Sequence, residues 1–397
     1  MRTRYSTHNG EPHQLIVPAQ DARVRFTVVE CDVISSHRRC TRPRTRRSVS
    51  RANCRPCGAV PPGRGGVRAV VTLHHIASDG WSAGPLWEGL SAAYRARLGG
   101  RAPQWEPLPV QYADYTLWQH NQLGDILAQQ LDHWRQALRG IPQELALPAD
   151  RPRPAVASHD GDLVEFQLDA ELHSSLDALA RRHGVTLFMV LHAALAALLT
   201  RMGAGTDIPV GTVVAGRSDQ ALDDLVGFFI NTLVLRTDTS GAPTFGELLD
   251  RVRETDLAAF THQDLPFERL VEELNPARSL SVHPLFQVML VLQNNSEGAL
   301  QLPGITAQEE PIGISPAKFD LNFTFAEERD AAGTPVGIHG ALQFMTDLFD
   351  RGTALALSER MVRLLEAAAV IRRCRSLSWT GLMFRVPGLL SGRRCRR

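Results

Sequence analysis

The string His74-His75-Ile76-Ala77-Ser78-Asp79-Gly80-Trp81-Ser82 carries the sharpest chemistry in this sequence. An imidazole, with an ordinary pKa of about 6.5, can take a proton from an amine or a hydroxyl at neutral pH. Adjacent histidines at a strand end point to opposite sides, so one can face a cavity while the other packs. Asp79 stands where a carboxylate can pair with an arginine or hold loop N–H groups. Gly80 permits a positive φ or the close approach of a ligand. A histidine pair in a turn with a structural aspartate is the competing reading. For an isolated His-His pair it is the commoner one, but the full string is far more specific.

Such a loop needs a strand to deliver it and a helix to close it. Arg68–His74 (RAVVTLH) is apolar and β-branched and reads as a buried strand. Pro85–Leu98 reads as a helix. Asp125–Leu138 reads as another, with Asp125 as N-cap and Leu127, Leu131, Trp134 and Leu138 on one face. Residues 140–162, rich in Pro, Gly and Asp, read as a linker. Strands are expected at Val164–Leu168, Ile208–Ala215, Val226–Arg236, Leu285–Gln293, Phe319–Phe325 and Val336–Phe344. Helices are expected after an Asp169 cap, through the apolar Leu187–Met202, and at Phe245–Phe260, Phe267–Leu274 and Thr353–Val370. Strands and helices mixed in two halves imply a two-lobed α/β (α+β) architecture. The N-terminal lobe is expected over residues 1–150 and the C-terminal lobe over 151–370.

The chain has 397 residues, 43 basic and 42 acidic, with a net charge of +1. That balance argues against a polyanion-binding surface, so no nucleic-acid partner is expected. The longest apolar stretch, Leu187–Leu199, is too short to span a bilayer. Nothing apolar follows Met1-Arg2-Thr3-Arg4, so no signal peptide is expected. Six cysteines at this length make no disulfide scaffold. A soluble, cytoplasmic protein without a membrane partner is the expectation. Two windows depart from the globular pattern. Residues 31–68 hold ten arginines and four of the six cysteines, and residues 371–397 hold eight arginines and the other two. A basic arm, a metal site at Cys54-x-x-Cys57 and a displaced reading frame in GC-rich DNA are the three readings; the last fits the composition best. A lone C-x-x-C lacks the second ligand pair zinc requires. Residues 31–66 and 371–397 show no apolar period and are expected to lack a packed place in the fold.

HHIASDGWS resembles the active-site motif of condensation domains of non-ribosomal peptide synthetases, members of the chloramphenicol-acetyltransferase-like superfamily. Other stretches resemble the family in its order. Tyr112–Trp118 is similar to Y-x-D-Y-x-x-W, Val226–Thr232 running on to Arg236 to V-G-x-F-x-N-T, and His262–Glu268 to H-Q-D-x-P-F-E. Arg278–Gln293, Lys318–Leu321 and Met1–Arg4 also fit. Each has a structural reading beside it. Tyr112, Tyr115 and Trp118 can be core of one helix face, and Asn231 can satisfy backbone groups. Pro266 and Glu268 follow ordinary helix-start chemistry.

The resemblance implies a V-shaped pair of acetyltransferase-like lobes with a tunnel between them. Donor and acceptor peptidyl carrier proteins would present thioesters there on phosphopantetheine arms, and an adenylation domain of the same assembly line would be a further partner. No bound cofactor and no metal are implied. The acceptor amine attacks the donor carbonyl and an amide forms. His75 would take the amine proton or hold the amine; His74, Asp79 and Gly80 complete the catalytic set. Asp79 would hold the loop through an arginine, with Arg236 one candidate. Trp81, Ser82, Asn231 and Gln263 would contact substrate. The S-D-G-W-S ending most resembles domains that join two L-configured residues, rather than cyclising or epimerising relatives. The family's first motif is not matched and residues 31–66 depart from it, so an incomplete N-lobe is expected. Two alternatives stand beside this reading: a free-standing acyltransferase using acyl-CoA, and a non-catalytic module that binds carrier proteins.

Overall fold

The computed structural model describes residues 2–22, 26–28, 55–60, 68–293, 298–308 and 316–370. It divides into two compact units that interleave along the chain. One comprises 1–125, 215–230 and 295–314; the other comprises 126–214, 231–294 and 315–397.

The first unit opens with a hairpin, β1 (Thr3–His8) and β2 (Glu11–Ile16). Its turn is Asn9-Gly10, both at positive φ (52° and 86°), the pairing that suits a two-residue hairpin. A three-stranded sheet follows, of β3 (Phe26–Val28), β4 (Arg55–Val60) and β5 (Arg68–Thr72), with β4 central. Residues 31–66 therefore do supply one element, β4, contrary to expectation. Backbone ladder bonds can recruit a strand that has no apolar period of its own. The rest of that window, and the 371–397 tail, lie outside the described residues. α1 (Ala83–Leu98) and the part of α2 (Tyr112–Ala137) up to Asp125 complete the regular elements of this unit. Asp125 was expected to cap a helix start, yet it lies within α2. The helical period runs on through Gly124, whose penalty of about 1 kcal/mol does not outweigh the packing on either side.

The second unit is built on a six-stranded sheet. Its strands are β6 (Gly161–Asp169), β7 (Asp207–Val214), β8 (Asn231–Asp238), β9 (Val288–Gln293), β10 (Leu321–Arg329) and β11 (Pro335–Met345). The order is β6-β11-β10-β9-β7-β8; β9 pairs parallel with both neighbours and the other pairs are antiparallel. Two apolar clusters cover its faces. Val288 and Leu290 belong to one and Met289 to the other, as strand alternation requires. Burial on both faces explains why β9 reads as an unbroken apolar run.

α3 (Ala170–His183), α4 (Leu187–Arg201) and α7 (Arg351–Val370) contribute to the first cluster, and α6 (Phe267–Leu274) to the second. α5 (Phe245–Thr261) contributes to both. Asp169 caps α3 by accepting from the Leu172 N–H, and Thr244 with Glu247 forms a capping box on α5. Leu131 and Trp134 of α2, and Leu138 just after it, are buried as their spacing predicts.

Residues 140–160 are irregular but anchored. Arg153 pairs with Asp320 and Glu144 and donates to the Ser281 carbonyl, while the Leu145 N–H donates to Gln287. Val226–Ile230, expected to open a strand, instead belongs to the first unit, and β8 starts only at Asn231. No single helix among the described residues is long and apolar enough to cross a membrane.

Gly211 on β7 tests the packing of the sheet. A Cβ there would lie 2.1 Å from the Phe286 ring. Gly211→Ala is expected to destabilise the protein by about 1–3 kcal/mol through overpacking. Thermal melting measures this, and an unchanged midpoint would refute the close packing.

Candidate active site

β5 ends at Thr72, and the chain then makes two successive single 3-10 turns before α1. The first, His75–Ala77, is capped by His74, whose Nδ1 accepts from the Ile76 N–H at 3.1 Å. The second, Gly80–Ser82, is capped reciprocally by Asp79 and Ser82. The histidines are thus not on the strand, and strand alternation does not orient them. Both are exposed, so His74 is a turn cap rather than the packed residue expected from alternation.

His75 Nδ1 lies 2.8 Å from the Ser78 carbonyl oxygen. A carbonyl only accepts, so Nδ1 carries the proton and the neutral ring's lone pair sits on Nε2. The Phe228 ring stands against the imidazole at 5.1 Å and 85°.

Beneath this loop lies a buried polar cluster. Asp79 Oδ1 accepts from the Ser82 N–H (2.9 Å), the Ser82 hydroxyl (2.8 Å) and Arg217 Nη2 (3.2 Å). Oδ2 accepts from the Phe229 N–H at 2.9 Å. The Arg217 and Asp79 side chains are only 4% and 0% exposed, so this ion pair is taken out of water. Arg217 Nη1 donates to the Leu222 and Leu225 carbonyls, and the group lies over the Phe229 ring at 4.2 Å. Ser82 Oγ accepts from the Gly227 N–H (3.1 Å), and its single hydrogen faces both Asp79 Oδ1 and the Gly227 carbonyl at 2.9 Å. Tyr112 donates its hydroxyl to the Phe228 carbonyl at 2.7 Å. Burial, reinforced by neighbouring acidic groups, pushes the Tyr112 pKa well up, so it remains a donor.

Two glycines let this segment close. A Cβ on Gly216, which has φ +63°, would fall 1.9 Å from the Phe229 carbonyl oxygen, and one on Gly227 would fall 2.3 Å from the Tyr112 ring.

The arginine partner of Asp79 is Arg217, not Arg236. β8 carries Arg236 to Asp207, which it grips through two nitrogens at 2.8 and 2.7 Å. Ser82, expected to contact substrate, is buried with its hydroxyl fully engaged. Asn231 likewise has no hydrogen-bonding capacity left. Its amide donates to the Gln263 and Leu265 carbonyls, and its oxygen accepts from the Thr232 and Phe267 N–H groups. Both residues position backbone instead. Gln130 holds the same 263–267 loop from another side, accepting from the Asp264 and Leu265 N–H groups. The Gln263 and Gly80 positions are exposed, and Trp81 is half-buried.

His173, Asp177 and Glu327 come close enough to suit a cation, but Arg329 Nη2 already lies 2.9 Å from Asp177 and 3.0 Å from Glu327. Arg217, Tyr112 and Phe228 are the contributors to the His75 loop that residue spacing missed. For Arg217 and Phe228 the one local signal is a glycine before each, Gly216 and Gly227; Tyr112 stands in the Y-x-D-Y-x-x-W stretch.

A family model described as the condensation domain matches residues 1–376. A dimodular nonribosomal peptide synthase of Bacillus subtilis is 56% identical over 305 residues, covering 75% of this chain and 13% of the relative. A probable non-canonical nonribosomal peptide synthetase of Salinispora arenicola is 49% identical over 381 residues, covering 93% of this chain and 5% of the relative. The chain thus spans a small fraction of these relatives' length. Among solved structures, the X-domain from teicoplanin biosynthesis superposes with a TM-score of 0.86 at 36% identity, over 93% of this chain and 83% of that one. The X-domain in complex with OxyB matches at 35% identity with a TM-score of 0.85, over 96% of this chain and 83% of that one. The chain belongs to the condensation-domain family, with the chloramphenicol-acetyltransferase-like fold.

Removing one member of the buried pair strands the other. Asp79→Ala leaves the Arg217 charge buried and is expected to cost about 3–5 kcal/mol. The double variant Asp79→Ala/Arg217→Met should lose less than the two single losses added together. Melting curves of the three variants decide this. An Asp79→Ala protein that melts like wild type would show that the pair does not hold the loop.

Proposed function

We propose that this condensation domain joins a donor acyl or peptidyl thioester to an acceptor α-amine, each carried on the phosphopantetheine arm of a carrier protein. One observation carries the assignment of the base. The Ser78 carbonyl holds the proton on His75 Nδ1, so an exposed imidazole offers its Nε2 lone pair. In the reaction the amine nitrogen attacks the thioester carbonyl carbon and a C–N bond forms. His75 Nε2 receives the amine proton as the nitrogen becomes acylated. The tetrahedral adduct then collapses, the C–S bond breaks, and the proton passes from His75 to the departing thiolate. Amide and free thiol result. Presenting both reactants on tethered arms makes the step close to unimolecular, a large entropic gain.

Asp79, Ser82 and Arg217 act on this chemistry by fixing the loop that bears His75. The adenylation domain that would supply activated residues lies elsewhere in such an assembly line. The family pattern around S-D-G-W-S favours two L-configured partners. A second reading, a module whose task is to bind another protein, draws support from the X-domain relative found in complex with OxyB.

With donor and acceptor carriers both loaded, wild type is expected to yield the condensed acyl-carrier product by mass spectrometry, and His75→Ala to lose at least about a hundredfold in rate. His74→Ala should retain most activity, because His74 only caps an exposed turn. Equal product from wild type and His75→Ala would sink the assignment of the base. Product formed from acyl-CoA with an untethered acceptor would replace the carrier-dependent reading with the acyl-CoA one. Carrier binding without turnover by any variant would favour the binding module.

A further inference from the structure

We infer that Phe228 is a positioning residue for His75, and that it transmits the rigidity of the buried Asp79–Arg217 cluster to the imidazole. The inference rests on the reading of His75 as the proton acceptor. The histidine is exposed, and the bond from Nδ1 to the Ser78 carbonyl is a single-point anchor. One N–H···O contact allows the ring to swing about that axis, and the second torsion of a histidine side chain is broad. The Phe228 ring supplies the second constraint. It stands nearly perpendicular to the imidazole at 5.1 Å, an edge-to-face arrangement that resists rotation of either ring.

Phe228 can do this only if it is itself fixed, and the backbone around it is held on every side. The Gly227 N–H donates to Ser82 Oγ at 3.1 Å, and the Gly227 carbonyl faces the same hydroxyl at 2.9 Å. The Phe228 carbonyl accepts from Tyr112 at 2.7 Å. The Phe229 N–H donates to Asp79 Oδ2 at 2.9 Å. Three side chains, two of them from the loop that carries His75, thus pin residues 227–229. Asp79 is buried, yet through Phe228 it still governs where Nε2 lies. A base must keep its nitrogen on the reacting proton within a fraction of an ångström, and a 1 Å misplacement can cost about a hundredfold in rate.

The test uses the full chain and two readouts. The first is long-range 1H–15N NMR of the imidazoles, which reports the His75 tautomer without any substrate. The second is kcat and KM for amide formation between loaded carriers. Phe228→Leu keeps most of the volume and removes the ring; Phe228→Tyr keeps the ring. Phe228→Leu is expected to change His75 from one Nδ1–H tautomer to a mixture and to lower kcat about tenfold to a hundredfold with KM little changed. Phe228→Tyr should restore both. Tyr112→Phe, which releases the Phe228 carbonyl, should act in the same direction with a smaller effect. Melting curves establish that each variant is folded; should Phe228→Leu fail to fold, Tyr112→Phe carries the test with the same two readouts. A folded variant with the wild-type His75 tautomer and kcat would overturn the inference. If wild type makes no amide, the proposed reaction fails on its own, and the tautomer measurement still decides whether Phe228 positions His75.

Discussion

The arrangement around His75 depends on one buried ion pair, Asp79 with Arg217. Two charges removed from water are costly, and their attraction offsets that cost only with good geometry and further hydrogen bonds; here Arg217 Nε is the one buried donor of the pair left without a partner among the described residues. Here the carboxylate accepts four hydrogen bonds, from Ser82, Arg217 and the Phe229 backbone. The guanidinium adds two carbonyls and an aromatic face. Satisfying these groups draws the 215–230 segment onto the loop before α1. Its two glycines are therefore requirements of space, since a side chain at Gly216 or Gly227 would meet backbone or the Tyr112 ring.

A similar economy of polar groups organises the second unit. Asn231 and Gln130, two carboxamides, hold the loop that follows α5, and Trp134 donates its indole N–H to the His262 carbonyl. The residues that look most chemical in the HQDLPFE stretch are thus presented on backbone that other side chains have already fixed. Condensation domains act with carrier-protein domains in peptide synthetase assembly lines.

Much of the fold was legible because it is local. Asp169 caps α3, α6 spans Phe267–Leu274, and the apolar run of β9 is a sheet centre, each as its own residues dictate. Where local signals misled, a distant partner intervened. Val226–Ile230 reads as strand, but its backbone groups are taken by Ser82, Tyr112 and Asp79 instead of by a neighbouring strand. Asp125 reads as a cap, but a helix already under way from Tyr112 absorbs it. β4 lies in a window with no apolar period, because ladder pairing answers to backbone rather than to side-chain pattern.

The sequence by itself determined the family and the mixed α/β class, and it singled out the His75 loop as the candidate for chemistry. These follow from residue type and from spacing along a few turns of chain. Only the tertiary structure decided that Arg217 rather than Arg236 partners Asp79, that Ser82 and Asn231 are spent on backbone, and that Phe228 stands against His75. Asp79 and Arg217 lie 138 residues apart. Spacing over that distance carries no geometric information, because which groups meet is settled only when burial forces each charge and each amide to find a partner.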